Sequence, residues 1–261
     1  MNKFIKKILY FSFAIMFLTF TNCSKDSGDS GLSDGKGGSM ARFTIKGDYL
    51  YTVSTDSLKI FNIEDATQPK YYPERDLKIG FDIETIFPMD TLLFIGARSG
   101  MYVYDIRYPQ FPNKLSEVFH ITSCDPVVAQ GNYAYVTLNT IGRNCGAIPN
   151  NVLNIYDISN PLQPILIKWV ALNGPTGLGV DGDKLFVCDK GLKQFDISDP
   201  ANIRQSGDLA EIDEVDIRAA YDVIPVDGLL ILVAKEGLFQ FDYTSDKIKF
   251  VSKFEINKQN L

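Results

Sequence analysis

Glu84, Asp125 and Asp222 stand six residues ahead of Asp90, Gly131 and Gly228, three members of a set of turn positions that recurs along the chain. Ala41 and Thr176 hold the same place ahead of Gly47 and Gly182. Carboxylates at equivalent points of a repeat can converge where the repeats meet, and hard divalent cations take oxygen ligands of this kind. No cofactor is expected, and calcium is the one cation such a ring could take. Arg42, Arg98 and Lys190 offer the competing outcome, ordinary ion pairs at a hydrated rim. Two carboxyl groups about 5 to 9 Å apart, one with a raised pKa, also meet the needs of glycosidic cleavage. Asp125 and Asp222 are the pair for that reading.

Other chemistries find less to work with. His120 is the sole imidazole, set in a β-like stretch from Val118 to Thr122. It has no second His for zinc, and no Cys pair has metal-ligand spacing. A Ser or Cys nucleophile would need that one His beside it. Gly174 to Gly179 reads GPTGLG, yet no helix follows to make it a phosphate loop, so it is expected to turn into a strand. The formal charge is −6, and −9 without the leader lysines Lys3, Lys6 and Lys7. An acidic body without basic clusters repels phosphate backbones, which excludes nucleic acid as a partner.

The leader is legible from its own pattern. A basic segment from Lys3 to Lys7 precedes an apolar run from Ile8 to Phe20, too short to span a bilayer and suited to an export signal. Cys23 follows at once, ahead of a polar Ser/Gly/Asp tract with little that promotes order. The arrangement resembles a bacterial lipoprotein signal. That resemblance implies a signal peptide over 1–22, lipidation at Cys23, and a flexible tether over 23–39 ahead of a body at 40–261. Acyl chains anchor by burying methylenes at ~0.8 kcal/mol each, so the chain is expected in the cell envelope as an outer-membrane lipoprotein, facing the periplasm or the outside. Cleavage to a soluble secreted form is the alternative.

In such an oxidising compartment a disulfide is permitted. Cys124 precedes an inner strand and Cys145 lies in an insertion of the same repeat, so these two are the expected pair. Closing a loop of about twenty residues would stabilise by ~3 kcal/mol. Cys188 alternates with apolar residues at a strand end, where a buried thiol acts as a small hydrophobe.

What must position all these residues is a cassette repeated five times. Its copies are GDYLYTVSTDSLKIFNI from Gly47, DTLLFIGARSGMYVYDI from Asp90, GNYAYVTLN from Gly131 with NVLNIYDI from Asn151, GDKLFVCDKGLKQFDI from Gly182 and GLLILVAKEGLFQFDY from Gly228. Aligned on Gly47, Asp90, Gly131, Gly182 and Gly228, the units are 43, 41, 51 and 46 residues apart. The longest holds the Asn/Gly/Pro-rich insertion from Asn139 to Asn150. Alternation with period two, bounded by Asp-Gly and Ser-Gly turns, predicts strands. A unit of about 43 residues with four antiparallel strands is a propeller blade. The fold class is all-β, a five-bladed β-propeller of four-stranded antiparallel blades. Each blade is complete within its unit, so closure is expected to rest on packing of blade 1 against blade 5. An open stack of sheets and a six-bladed ring are the other architectures. Asn62, Asp105, Asp157, Asp196 and Asp242 close the third strand of every unit, where a carboxylate caps the following turn.

The copy Gly131 to Val136 with Asn154 to Pro164, and the copy Leu192 to Pro200, resemble the LVIVD-repeat family of β-propellers, common as lipoproteins in Bacteroidetes. The resemblance covers Met40 to Asn257 and strengthens the fold without supplying an activity. Tyr243-Thr244-Ser245 lacks the family's Ser-x-Pro turn, and Arg107-Tyr108-Pro109 keeps only the proline. WD and Kelch signatures are missing. The expected role is a monomeric, membrane-anchored, non-enzymatic module that binds a protein or glycan through loops held by a rigid scaffold. A glycan hydrolase is the alternative.

Overall fold

Every unit turns its first strand back through a two-residue hairpin whose leading residue is left-handed. These residues are Gly47 (φ 54°), Asp90 (φ 50°), Gly131 (φ 58°), Gly182 (φ 58°) and Asp227 (φ 50°). Turns of this hand match the twist of the strands they join. In the computed structural model, which describes residues 37–120, 126–140, 150–209, 211–212, 215–245 and 247–255, they generate five antiparallel blades in a ring.

Blade 1 is β1 (Phe43–Lys46), β2 (Tyr49–Val53), β3 (Ser57–Asn62) and an outer strand broken into β4 (Lys70–Tyr71) and β5 (Leu77–Lys78) by a 3₁₀ turn at Pro73–Arg75. Blade 2 is β6 (Ile83–Met89), β7 (Leu92–Ala97), β8 (Gly100–Asp105) and β9 (Asn113–Phe119). Blade 3 is β10 (Val127–Gln130), β11 (Tyr133–Leu138), β12 (Val152–Asp157) and β13 (Ile165–Ala171). Blade 4 is β14 (Pro175–Asp181), β15 (Lys184–Asp189), β16 (Leu192–Asp196) and β17 (Arg204–Leu209). A small hairpin, β18 (Glu211–Ile212) with β19 (Val215–Asp216), leads to blade 5: β20 (Ala220–Val226), β21 (Leu229–Ala234), β22 (Gly237–Asp242) and β23 (Lys249–Glu255). No α-helix occurs among the described residues. In blades 2 to 5 the pairing of third with outer strand slips at one bulge, at Val103/Tyr104, Ile155/Tyr156, Gln194/Phe195 and Gln240/Phe241. A bulge at this place bends the outer strand and increases its local twist.

The expected caps are present in all five units. The side-chain oxygens of Asn62, Asp105, Asp157, Asp196 and Asp242 accept the backbone N–H two residues on, at 2.8 to 3.0 Å. Bonds from that second residue's side chain join at Asp105, where the Arg107 guanidinium holds the carboxyl below its ordinary range, and at Asp242, where the Thr244 hydroxyl does so.

Four apolar cores lie between blades. Tyr51, Leu58 and Ile60 of blade 1 meet Ile83, Leu93 and Ile95 of blade 2; Phe94 and Met101 of blade 2 meet Val127 and Val136 of blade 3. Tyr135 and Ile155 meet Leu178 and Val187 of blade 4, and Phe186 and Leu192 of blade 4 meet Leu230 and Phe239 of blade 5. Burying side chains of this size contributes roughly 1.5 to 3 kcal/mol each before entropy is counted. Among the described residues no such core joins blade 5 to blade 1. Apolar residues of β21 and β2 are half-buried instead. Cys188 is fully buried in the core between blades 4 and 5, with a free thiol that burial pushes well above its ordinary pKa.

Candidate functional site

The inner strands β1, β6, β10, β14 and β20 surround the central channel. At the end bearing the two-residue turns they enclose a cavity of about 270 Å³ whose walls include Lys46, Phe87, Val128, Val180 and Ile224, with Gly37 reaching into it. Gly37 to Ala41, most of it within the stretch expected to be tether, runs through the hub as a strap.

Ser39 is 1% exposed, and its hydroxyl accepts the Leu178 N–H of blade 4 at 2.8 Å while donating to Asp222 Oδ1 of blade 5 at 2.9 Å. Met40 N–H donates to Asp222 Oδ2 at 3.1 Å, and Val223 N–H to Oδ1 at 2.9 Å. The strap then offers the Ala41 carbonyl to Ile86 N–H of blade 2 at 3.0 Å before entering β1. One five-residue segment is thus bonded to three blades and continuous with a fourth.

Room for this comes from glycine. A Cβ on Gly38 would stand 2.0 Å from Asp222 Oδ2, and one on Gly177 would stand 2.2 Å from Oδ1 and 2.6 Å from the Asp222 Cα. A Cβ on Gly179 would meet Pro225 Cδ at 2.5 Å and the Val223 carbonyl at 2.7 Å. Gly174 to Gly179 runs from a turn into an inner strand, as expected: Gly174 ends the loop, Pro175 onward is β14, and its glycines let β14 and β20 approach backbone to backbone. Thr176 Oγ1 bonds to the Ala220 carbonyl at 2.9 Å, and the Thr176 carbonyl accepts from Thr137 Oγ1 at 2.9 Å. These bonds chain blade 3 to blade 4 to blade 5.

Asp222 is 9% exposed, and burial raises its carboxyl above the ordinary range, opposed by the donors from Met40, Ser39 and Val223. Asp222 is not the structural equivalent of Glu84. The left-handed leading residue in blade 5 is Asp227, so alignment on Gly228 runs one residue late. A slip of one residue in a strand moves a side chain to the other face. Tyr221, 43% exposed, holds the position matching Glu84 and Thr176. Glu84 is half-buried on β6. Asp125, Cys124, Cys145 and Cys23 lie outside the described residues. The described residues contain no group of three His, Cys, Asp or Glu placed to hold a metal ion. His120 directly follows β9, its N–H bonded to the Ser99 carbonyl at 3.2 Å.

Three features went unsingled in the sequence. Ser39 has no periodic signal, though two glycines precede it. Asp189, fully buried at the end of β15, accepts from Asn173 N–H at 3.0 Å and Gly174 N–H at 2.7 Å, fixing the loop at the rim between blades 3 and 4. Trp169 is 61% exposed on β13, and the bulge in that strand places Leu166, also exposed, on its side of the sheet. An outer strand that is apolar at successive positions was the available signal for it.

Comparison with known proteins agrees with this geometry. The LVIVD repeat model matches residues 123–142 and 144–171. No curated protein sequence matches. Among solved structures, a functionally unknown protein from Desulfotomaculum acetoxidans has a TM-score of 0.64 at 11% identity over 80% of this chain and 67% of that one. The periplasmic gluconolactonase PpgL of Pseudomonas aeruginosa has a TM-score of 0.57 at 15% identity, over 81% and 68%. The computationally designed Ika8 protein has a TM-score of 0.55 at 13% identity, over 83% and 61%. The chain thus spans 61% to 68% of the length of these three neighbours, and at such identities the likeness is one of fold. The chain is a five-bladed β-propeller that carries the LVIVD repeat, matched here across its third blade.

Proposed function

We propose that the protein is a non-enzymatic binding module of the cell envelope, held at the outer membrane through a lipidated Cys23, that presents the rim loop of blade 3 to a protein or glycan. The observation that carries this is how firmly the feet of that loop are held. Asn139 is 5% exposed and its amide donates to the Pro175 carbonyl of blade 4 at 2.6 Å. Thr140 N–H reaches Asn151 Oδ1 at 3.1 Å, Asn150 N–H reaches Thr140 Oγ1 at 2.8 Å, and Asn151 donates onward to the Asn173 carbonyl at 2.8 Å. Recognition residues favour loops positioned by a rigid scaffold. Trp169 pairs with Asn154, three residues from Asn151 at the foot of the same loop, and an exposed Trp beside other apolar residues is a frequent anchor of interfaces.

The hydrolase alternative has less support, because Asp222 uses both carboxylate oxygens on the strap and its own strand.

The test is capture from envelope extracts and on a glycan array with the intact chain. Replacing 141–149 by a Gly-Ser linker of equal length, and separately Trp169→Ala, should each abolish or sharply weaken capture. Undiminished capture by both variants would sink the reading. Anchoring is checked by Cys23→Ala, which should move the protein from the membrane to the soluble fraction.

A further inference from the structure

The four cored interfaces bury both faces of the blades between them. In β7, β11 and β15 the last five residues are all buried. Blades 5 and 1 differ. In β21 Leu230, Leu232 and Ala234 are buried while Leu229, Ile231 and Val233 are only half-buried, and in β2 Tyr51 and Val53 are buried while Leu50 and Thr52 are half-buried. Register places Val233 beside Leu238, and Leu50 beside Ile45 and Phe61, so each blade turns a half-covered apolar row away from its well-packed neighbour. Side-chain bonds follow the same division. Tyr51 OH reaches the Pro109 carbonyl from blade 1 to blade 2, Ser116 Oγ the Pro161 carbonyl from 2 to 3, Gln130 the Gly182 carbonyl from 3 to 4, and Tyr243 OH the Asp181 carboxylate from 5 to 4.

Among the described residues, the strap bonds blade 5 to the segment that enters blade 1. We propose that Gly37 to Ala41 is a releasable clasp: seated on Asp222 it closes the ring, and unseated it lets blades 5 and 1 part along their half-buried faces while the other four interfaces stay packed. The inference goes beyond the binding role and does not depend on lipidation.

The clasp is held on its Asp222 side by hydrogen bonds from Ser39 and Met40, and none of its residues belongs to the four apolar cores, which makes its release a local event rather than a loss of core. Local openings draw on regions with little buried apolar contact. Ser39 and Met40 from the strap and Gly177 from β14 lie against Asp222, Val233 pairs with it across the register from β21, and its charge helps to raise the buried Cys188 thiol of β15.

Hydrogen–deuterium exchange of the full chain tests this, with Ser39→Ala and Asp222→Asn beside the parent. Ser39→Ala should raise exchange in β2 and β21 by about tenfold or more while β7, β11 and β15 keep their protection. Asp222→Asn should show the same pattern more strongly. Should Asp222→Asn fail to fold, Ser39→Ala decides alone. Unchanged protection in Ser39→Ala, or protection lost equally across all five blades, overturns the proposal.

Discussion

Asp222 shows how one residue's meaning turns on its surroundings. As a repeated acid near a channel mouth it reads as a cation ligand; in place, it lies between two glycine Cα atoms and accepts hydrogen bonds from a strap and from its own strand. A folded-state pKa above the unfolded value means the native state binds the extra proton. Its contribution to stability is therefore present in full below the ordinary carboxylate range and is lost as pH rises through the raised value. Thermal melts of the parent should fall across that window, and Asp222→Asn, which cannot ionise, should lose that part of the slope. Equal slopes in the two proteins would refute the assignment. Removing the Ser39 hydroxyl leaves the Leu178 N–H without its partner and takes from Asp222 Oδ1 one of its two donors, and a buried polar group so stranded costs about 1 to 3 kcal/mol. Ser39→Ala should therefore lower stability by an amount on that order, read from urea midpoints.

At the scale of the element, β14 is the unusual strand. Its glycines at 177 and 179 replace side chains with another strand's backbone, and that is why blade 5 lies so close to blade 4. Gly177→Ala forces a methyl against the Asp222 Cα, and overpacking of this kind costs roughly 1 to 3 kcal/mol or more. Gly174→Ala, where nothing lies within 4 Å, should stay within about 0.5 kcal/mol of the parent. Denaturant midpoints of the two variants separate close approach from a general intolerance of alanine. The outer strand β13 carries the other element-scale feature. Strand edges that present apolar residues are ordinarily blunted by charge, and β13 has only Lys168 for that purpose.

At the scale of the molecule, the propeller is a chain of four cored interfaces with one polar closure. Unfolding should begin where the core is absent, which places blades 1 and 5 at the low-stability end. The same view bears on cations. With both Asp222 oxygens engaged and Tyr221 rather than an acid at the matching position of blade 5, millimolar calcium should leave the melting temperature unchanged. A rise of several degrees would restore a role for Glu84 and Asp125.

The strands, turns and caps were legible because each is set by neighbours in sequence. Alternation decides which face of a strand is apolar, a left-handed residue fixes each hairpin, and Asp157 or Asp242 caps a turn two residues away. Repetition made these local signals unambiguous, and the ring of five followed from them. Blade 5's alignment failed by one residue because Asp227 and Gly228 both suit a left-handed turn, and only pairing shows which one leads. The hub was not legible at all. Ser39 and Asp222 are 183 residues apart, and nothing in the local pattern of either tells that the chain's strap threads back between blades 4 and 5. Local physics wrote the blades into the sequence, whereas the closure depends on which distant backbones come near enough to bond, and that is settled only when the cores between the blades have brought them together.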